Sequence, residues 1–190
     1  MTERYAGCRV FPLLLAVLSF PSFPGFNSPL QAQEAVSPLT AAERTDFRET
    51  TRYDELVAFV SEVVGRNPDM HLTTMGTTYE GRSIPLVVVG RVADATPEAV
   101  RASGMTRVYV QGGIHAGEIS GKEALLILLR ELAAGEHGHW ADSLVLLIAP
   151  LYNPDGNERV SPTNRRGQHG PVAGMGERPN AMGLDLNRTR

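Results

Sequence analysis

The chain has a single cysteine, Cys8, in 190 residues, so no intramolecular disulfide can brace it, and stability has to come from core burial or a bound metal. It also lacks an excess of positive charge. Its 18 lysines and arginines face 21 aspartates and glutamates, a net −3, which excludes the basic face that a nucleic-acid binder needs. Internal repeats are absent. No apolar run reaches the roughly 20 residues needed to cross a bilayer. The run over residues 10–20 (VFPLLLAVLSF) is broken by Pro12 and Ser19. Arg4 and Arg9 accompany it, and small and polar residues follow, with Ala32 and Ala35 as candidate cleavage positions. That pattern predicts an export signal within residues 1–35, and hence a secreted or periplasmic mature chain with no stable membrane insertion. An uncleaved N-terminal anchor is the alternative reading. Cys8 precedes the apolar run instead of following it, which argues against lipid attachment there.

What is present is ordinary globular usage, 42% hydrophobic and 21% charged, sufficient for one domain with a core. Residues 21–40 are rich in Pro, Ser and Gln and read as a linker, with structure expected from about Thr51. Leu56, Phe59, Val60 and Val63 fall at the i, i+3, i+4, i+7 positions of an amphipathic helix that Gly65 and Pro68 end. Residues 71–78 and 84–89 predict two strands joined by a turn at Tyr79-Glu80-Gly81-Arg82. Thr96-Pro97 caps a short helix to about Ala102. A strand over 107–111, a Gly112-Gly113 break, a helix over 119–134 and a near-continuous apolar run over 144–151 follow. Leu125, Leu128, Leu129 and Leu132 form that helix's core face, with Gly135 as its cap. The last run fits a strand covered on both faces, which gives an α/β fold. From Asn153 to Met182 the composition predicts a long functional loop.

Three short stretches carry chemistry. In Gly112-Gly113-Ile114-His115-Ala116-Gly117-Glu118, an imidazole and a carboxylate three residues apart sit where a strand turns into a helix, a donor pair that zinc accepts. Taken alone, His115 is a loop histidine and Glu118 a carboxylate favoured by the helix dipole. Asn153-Pro154-Asp155-Gly156 is a strong turn former directly after the apolar run. Gly183-Leu184-Asp185-Leu186-Asn187-Arg188 alternates apolar and polar residues like a short strand and ends in a planar guanidinium suited to a carboxylate. Open α/β sheets bind ligands beyond the carboxyl ends of their strands, where both His115 and the Asn153 turn fall.

The order H-x-x-E, N-P-D-G, D-L-N-R resembles the M14 family of zinc carboxypeptidases, over roughly residues 40–190, with Glu80-Gly81-Arg82 similar to that family's early hairpin. The resemblance implies a mixed, largely parallel sheet flanked by helices, incomplete at the C-terminus, with residues 40–190 forming the N-terminal portion of the catalytic domain. It implies one Zn2+ held by His115 and Glu118, and Asp185 as the carboxylate that orients His115. It implies Asn187 and Arg188 as the grip on the free C-terminal carboxylate of a peptide substrate. An arginine after the N-P-D-G turn would stabilise the oxyanion. Arg165, Arg166 and Arg178 compete for this role; spacing from Gly156 favours Arg165 or Arg166, and Arg166 is taken as the candidate. Some family members carry an arginine at the position of Gly117, so secondary substrate contacts are expected to differ.

The family's third ligand, a histidine, and its catalytic glutamate follow the Asn-Arg pair, so the 190-residue chain is expected to be inactive alone and to hold zinc poorly. His137 and His139 lie beyond a helix that carries them about 20 Å or more away, and His169 is expected to be exposed. A partial sheet is also expected to leave the chain marginal or aggregation-prone. Two other functions compete: a zinc amidohydrolase of N-acyl amino acids, of the desuccinylase-like branch, and a non-catalytic secreted binding module on the same fold.

Overall fold

The computed structural model describes Thr2 and residues 37–188. The export-signal reading therefore lies outside the described residues, Thr2 apart. Met1–Ala35 separates from Val36–Arg190 as a unit of its own, and the description below concerns the second unit. Regular structure starts before Thr51. Helix α1 (Ala41–Arg44) opens on a capping box in which the Glu43 amide donates to the Thr40 hydroxyl at 3.2 Å and the Thr40 amide donates to Glu43 at 2.8 Å. Arg130 then grips Glu43 through two bonds of 2.6 and 2.7 Å, so the predicted linker gives way to packed structure at Thr40.

Helix α2 (Tyr53–Val64) buries Leu56, Phe59, Val60 and Val63, the positions its periodicity assigns to the core. Strands β1 (Met70–Thr77) and β2 (Ser83–Val89) form the predicted hairpin. Helix α3 (Pro97–Ala102) starts with the Ala99 amide donating to the Thr96 hydroxyl at 3.2 Å. Strand β3 (Thr106–Gln111), helix α4 (Ile119–Ala133), a 3₁₀ turn (Gly138–Asp142), strand β4 (Leu144–Ala149) and helix α5 (Pro154–Glu158) complete the elements. The N-P-D-G stretch is thus the first turn of α5, capped by Asn153. The strand expected near 183–188 does not form. Residues 186–188 make a turn in which the Arg188 amide donates to the Asp185 carbonyl at 2.9 Å, and that local bond takes the place of a ladder.

The sheet order is β1-β2-β4-β3. The fold is α/β with a mixed sheet, as the sequence implies. Among the described residues the balance of directions differs from the largely parallel expectation: β1–β2 and β2–β4 are antiparallel and β3–β4 is parallel. A hairpin can only return antiparallel, whereas β3–α4–β4 is the one crossover connection here. Alternate residues of the central strands face opposite ways. Val87, Val89, Leu146 and Ile148 pack with α2 and α4, while Val88 and Val145 pack with Val100 of α3. Both faces are covered, which is why the 144–151 run carries no polar side chain.

Candidate metal and substrate site

The site forms where β3 passes into α4. After Gln111 the chain bends across the end of β4, with the Gly112 amide donating to Ala149 O at 2.9 Å and the Tyr152 amide to Gly112 O at 2.9 Å. A Cβ on Gly112 would meet Pro150 O at 2.9 Å, and Gly113 has φ +62°, so neither position accepts a side chain without strain. A turn closed by the Glu118 amide on His115 O at 2.9 Å then leads into α4.

His115 is 4% exposed, and its two ring nitrogens go to different carboxylates. Nε2 lies 2.8 Å from Asp185 Oδ1, and Nδ1 lies 3.0 Å from Glu118 Oε1. A neutral imidazole that donates from Nε2 to Asp185 has only a lone pair at Nδ1. That lone pair faces a carboxylate oxygen, an arrangement satisfied by a second proton on the ring or by a cation shared between the two atoms. Zinc ligands at about 2.0–2.2 Å in a tetrahedral array lie roughly 3.3 Å from each other, close to the separation here. The two donors therefore fit one zinc ion. Half of the Glu118 side chain is exposed, so one side of the pair opens to solvent. Among the described residues no third histidine, cysteine, aspartate or glutamate joins this pair.

Two guanidinium groups complete the site. Arg165 donates from Nη2 to Glu118 Oε1 at 3.0 Å. Arg178 donates from Nε to Asp185 Oδ2 at 2.9 Å and holds Nη1 4.0 Å from Glu118 Oε1. Arg166, the candidate taken from the sequence, is exposed, and it is its neighbour Arg165 whose side chain reaches Glu118. His169 is exposed. Partial burial pushes the Glu118 carboxyl up, but the bonds from Arg165 and His115 outweigh it and hold the group below the usual range. The bond from His115 holds Asp185 well below the ordinary aspartate range; desolvation opposes it, and Arg178 and the Asn187 amide add to the lowering. Asn187 and Arg188 lie exposed on the turn that begins at Asp185. The Asn187 amide donates to Asp185 Oδ1 at 3.0 Å, and Arg188 Nη1 folds onto Asn187 O at 3.0 Å.

The N-P-D-G stretch holds this site together without touching the metal pair. Asn153 is 2% exposed; its side chain accepts from the Gly156 amide at 3.0 Å and donates to Pro179 O at 3.0 Å. The Glu177 amide donates to Gly156 O at 3.0 Å. The backbone on both sides of Arg178 is thereby fixed to the start of α5. Asp155, 1% exposed, accepts from the Thr78 hydroxyl at 2.8 Å, Arg82 Nη1 at 2.8 Å and the Glu80 amide at 3.2 Å, which pins the hairpin tip to the same helix.

The sequence pattern of the family described as zinc carboxypeptidase matches residues 56–189. The chain belongs to the zinc carboxypeptidase family. It is 30% identical over 138 residues to Carboxypeptidase 2 of Trichophyton rubrum, covering 70% of this chain and 24% of the relative. It is 31% identical over 157 residues to carboxypeptidase M of Mus musculus, covering 80% of this chain and 32% of the relative. A crystal structure of a metallo-carboxypeptidase from Burkholderia cenocepacia superposes with a TM-score of 0.51 at 28% identity, over 72% of this chain and 33% of that one. The chain thus spans between a quarter and a third of the length of these relatives. Within the family's match lie His115, Glu118, Asp185, Asn187 and Arg188, together with the N-P-D-G helix.

Proposed function

We propose that this zinc carboxypeptidase family member hydrolyses the C-terminal peptide bond of peptide substrates, and that His115 Nδ1 and Glu118 Oε1 are protein ligands of its zinc. One observation carries the reading: His115 gives one nitrogen to Asp185 and turns the other onto the Glu118 carboxylate. A bound zinc would supply Lewis-acid polarisation of the scissile carbonyl and an acidified water. The remaining roles fall to the chain's own groups. Asp185 fixes the ring orientation of His115 and keeps the Nε2 proton in place. Arg178, held by Asp185 through Nε, brings Nη1 to 4.0 Å from Glu118 Oε1, a position suited to stabilising an oxyanion. In our reading it replaces Arg166 in that role. Asn187 and Arg188 bind the terminal carboxylate of the substrate, the guanidinium by a two-point grip. Residues 1–35 direct export.

The metal reading is tested by titrating zinc into the 190-residue chain against a chromophoric chelator. We expect one zinc per chain, held weakly because only two side-chain donors converge among the described residues. His115→Ala and Glu118→Ala are each expected to abolish binding, and Asp185→Asn to weaken it by about tenfold. Zinc uptake unaltered in His115→Ala would refute the assignment. For the substrate reading, a dipeptide with a free terminal carboxylate is expected to shift the backbone amide resonances of Asn187 and Arg188, and its terminal amide is not. Equal shifts from the two would refute carboxylate recognition.

A further inference from the structure

Of the 18 lysines and arginines in the chain, Lys122 is the only lysine, and it is 1% exposed. It falls on the apolar stripe of α4, at position i of an i, i+3, i+4, i+7 set completed by Leu125, Leu126 and Leu129, all buried. Burying an ammonium there is unfavourable unless it is fully bonded, and an apolar side chain of the same volume would suit the stripe better. The ammonium makes two hydrogen bonds and an ion pair. Nζ donates to Thr51 O at 2.5 Å and to Asn157 Oδ1 at 2.8 Å, with Glu123 Oε1 at 3.6 Å. Glu123 in turn accepts from the Thr50 hydroxyl at 2.7 Å, the Thr51 amide at 2.7 Å and the Thr51 hydroxyl at 2.8 Å. Three chain segments meet at this one group: the first turns of α4, the approach to α2, and α5.

The position of α5 gives the junction its consequence. Its outer side carries the backbone around Arg178, through Asn153 to Pro179 O and Gly156 O to Glu177. Its inner side is tied by Asn157 to Lys122, four residues after Glu118, a rise of about 6 Å along α4. Lys122 thus joins the helix that presents Glu118 to the helix that anchors the Arg178 segment. We propose that Lys122 is a positioning residue, whose ammonium sets the separation between the His115–Glu118 turn and the Arg178 segment. Its role toward the metal rests on the proposed function above; the mechanical link does not.

The experiment compares Lys122→Met, which keeps length and volume without the charge, with the core control Leu129→Ala in the 190-residue chain. Amide exchange is read at Gly156, Asn157 and Glu177, and zinc affinity by competition. In Lys122→Met those three amides are expected to exchange roughly tenfold faster relative to β4 amides, a selective local opening. Zinc affinity is expected to fall about tenfold, as when a group that orients metal ligands is lost. In Leu129→Ala the β4 amides and these three should quicken together. Exchange in Lys122→Met that follows the control pattern would overturn the proposal, as would a zinc affinity in Lys122→Met equal to that of a wild-type chain that binds the metal. Should Lys122→Met fail to fold, Asn157→Ala removes the same link from the α5 side and must give the same selective pattern. A chain that shows that pattern but takes up no zinc supports the link and refutes the metal reading.

Discussion

Asp155→Ala tests whether the N-P-D-G stretch acts as a structural junction. The carboxylate is 1% exposed and accepts three bonds, from Thr78, Arg82 and Glu80. Removing one partner of a buried ion pair costs about 3–5 kcal/mol when the other charge is stranded. Arg82 is not stranded, since Glu80 Oε2 lies 2.5 Å from the same Nη1, and the Arg82 side chain is 28% exposed. The cost therefore falls at the low end, and we expect a loss of about 3 kcal/mol, drawn from the bonds to a charged acceptor at roughly 1.5–3 kcal/mol each, which share their energy. Asp155→Asn keeps one acceptor oxygen and should lose less. The assay is urea unfolding followed by far-ultraviolet circular dichroism, with the midpoint expected to fall and the slope to stay unchanged. In a chain of low initial stability the same loss appears as missing native signal at 25 °C. A cost below about 1 kcal/mol, smaller than one such bond, would refute the junction.

Gly156→Ala should destabilise by roughly 1–3 kcal/mol, the range for overpacking, because its Cβ would stand 2.5 Å from Asn153 Nδ2 and 2.8 Å from Pro179 O; an unchanged urea midpoint would contradict the packing. Burial pushes Lys122 down to about 8. Between that value and the roughly 10.4 of an unfolded lysine the unfolded chain binds more protons, so stability should rise with pH by up to roughly 3 kcal/mol across that window. Lys122→Met should flatten that rise, and with no other lysine to titrate, a persisting rise of equal size would exclude Lys122 as its source. On the acid side, Arg130 holds Glu43 low and Arg82 and Arg159 hold Glu80 low. Their contributions are present above the unfolded carboxyl range and are lost as pH falls through the lowered folded values. Arg130→Met should therefore reduce the loss of stability below pH 4, measured by acid titration of the dichroism signal.

The helices were legible because their signals are local. The apolar spacing in α2 and the Thr96-Pro97 start of α3 appear where the sequence puts them, and the core face of α4 differs only in that Leu126 is fully buried and Leu128 partly so. α1 escaped notice, although Thr40-x-x-Glu43 is a capping box written in the sequence. The strand directions were less accessible, since whether β2 lies antiparallel to β4 is decided by a pairing far apart in the chain. Arg165 and Arg166 are adjacent, and spacing from Gly156 cannot choose between them. The turns between 159 and 175 decide which one faces Glu118, through bonds such as Asn164 Nδ2 to Arg159 O at 2.8 Å and to Met175 O at 2.9 Å. Lys122 also escaped notice, although a charge on an apolar stripe is a conflict between local pattern and burial that the sequence contains.

The H-x-x-E turn, the 176 backbone and the N-P-D-G helix form one structural unit because glycines allow their backbones to touch. A Cβ on Gly117 would lie 2.7 Å from Gly176 O and 2.8 Å from Arg165 Nε, and one on Gly176 would lie 2.5 Å from Gly156 O and 2.9 Å from Ala116 Cβ. The His115–Glu118 turn, the segment that carries Arg178 and the start of α5 are thus in contact at distances that no side chain permits. At Gly117 the chain leaves a space that the side chain of Arg165 fills from the long loop, placing its guanidinium against Glu118. A side chain at position 117 would have to displace both Arg165 and the 176 backbone, so Gly117 and Arg165 act together in shaping the rim beside Glu118.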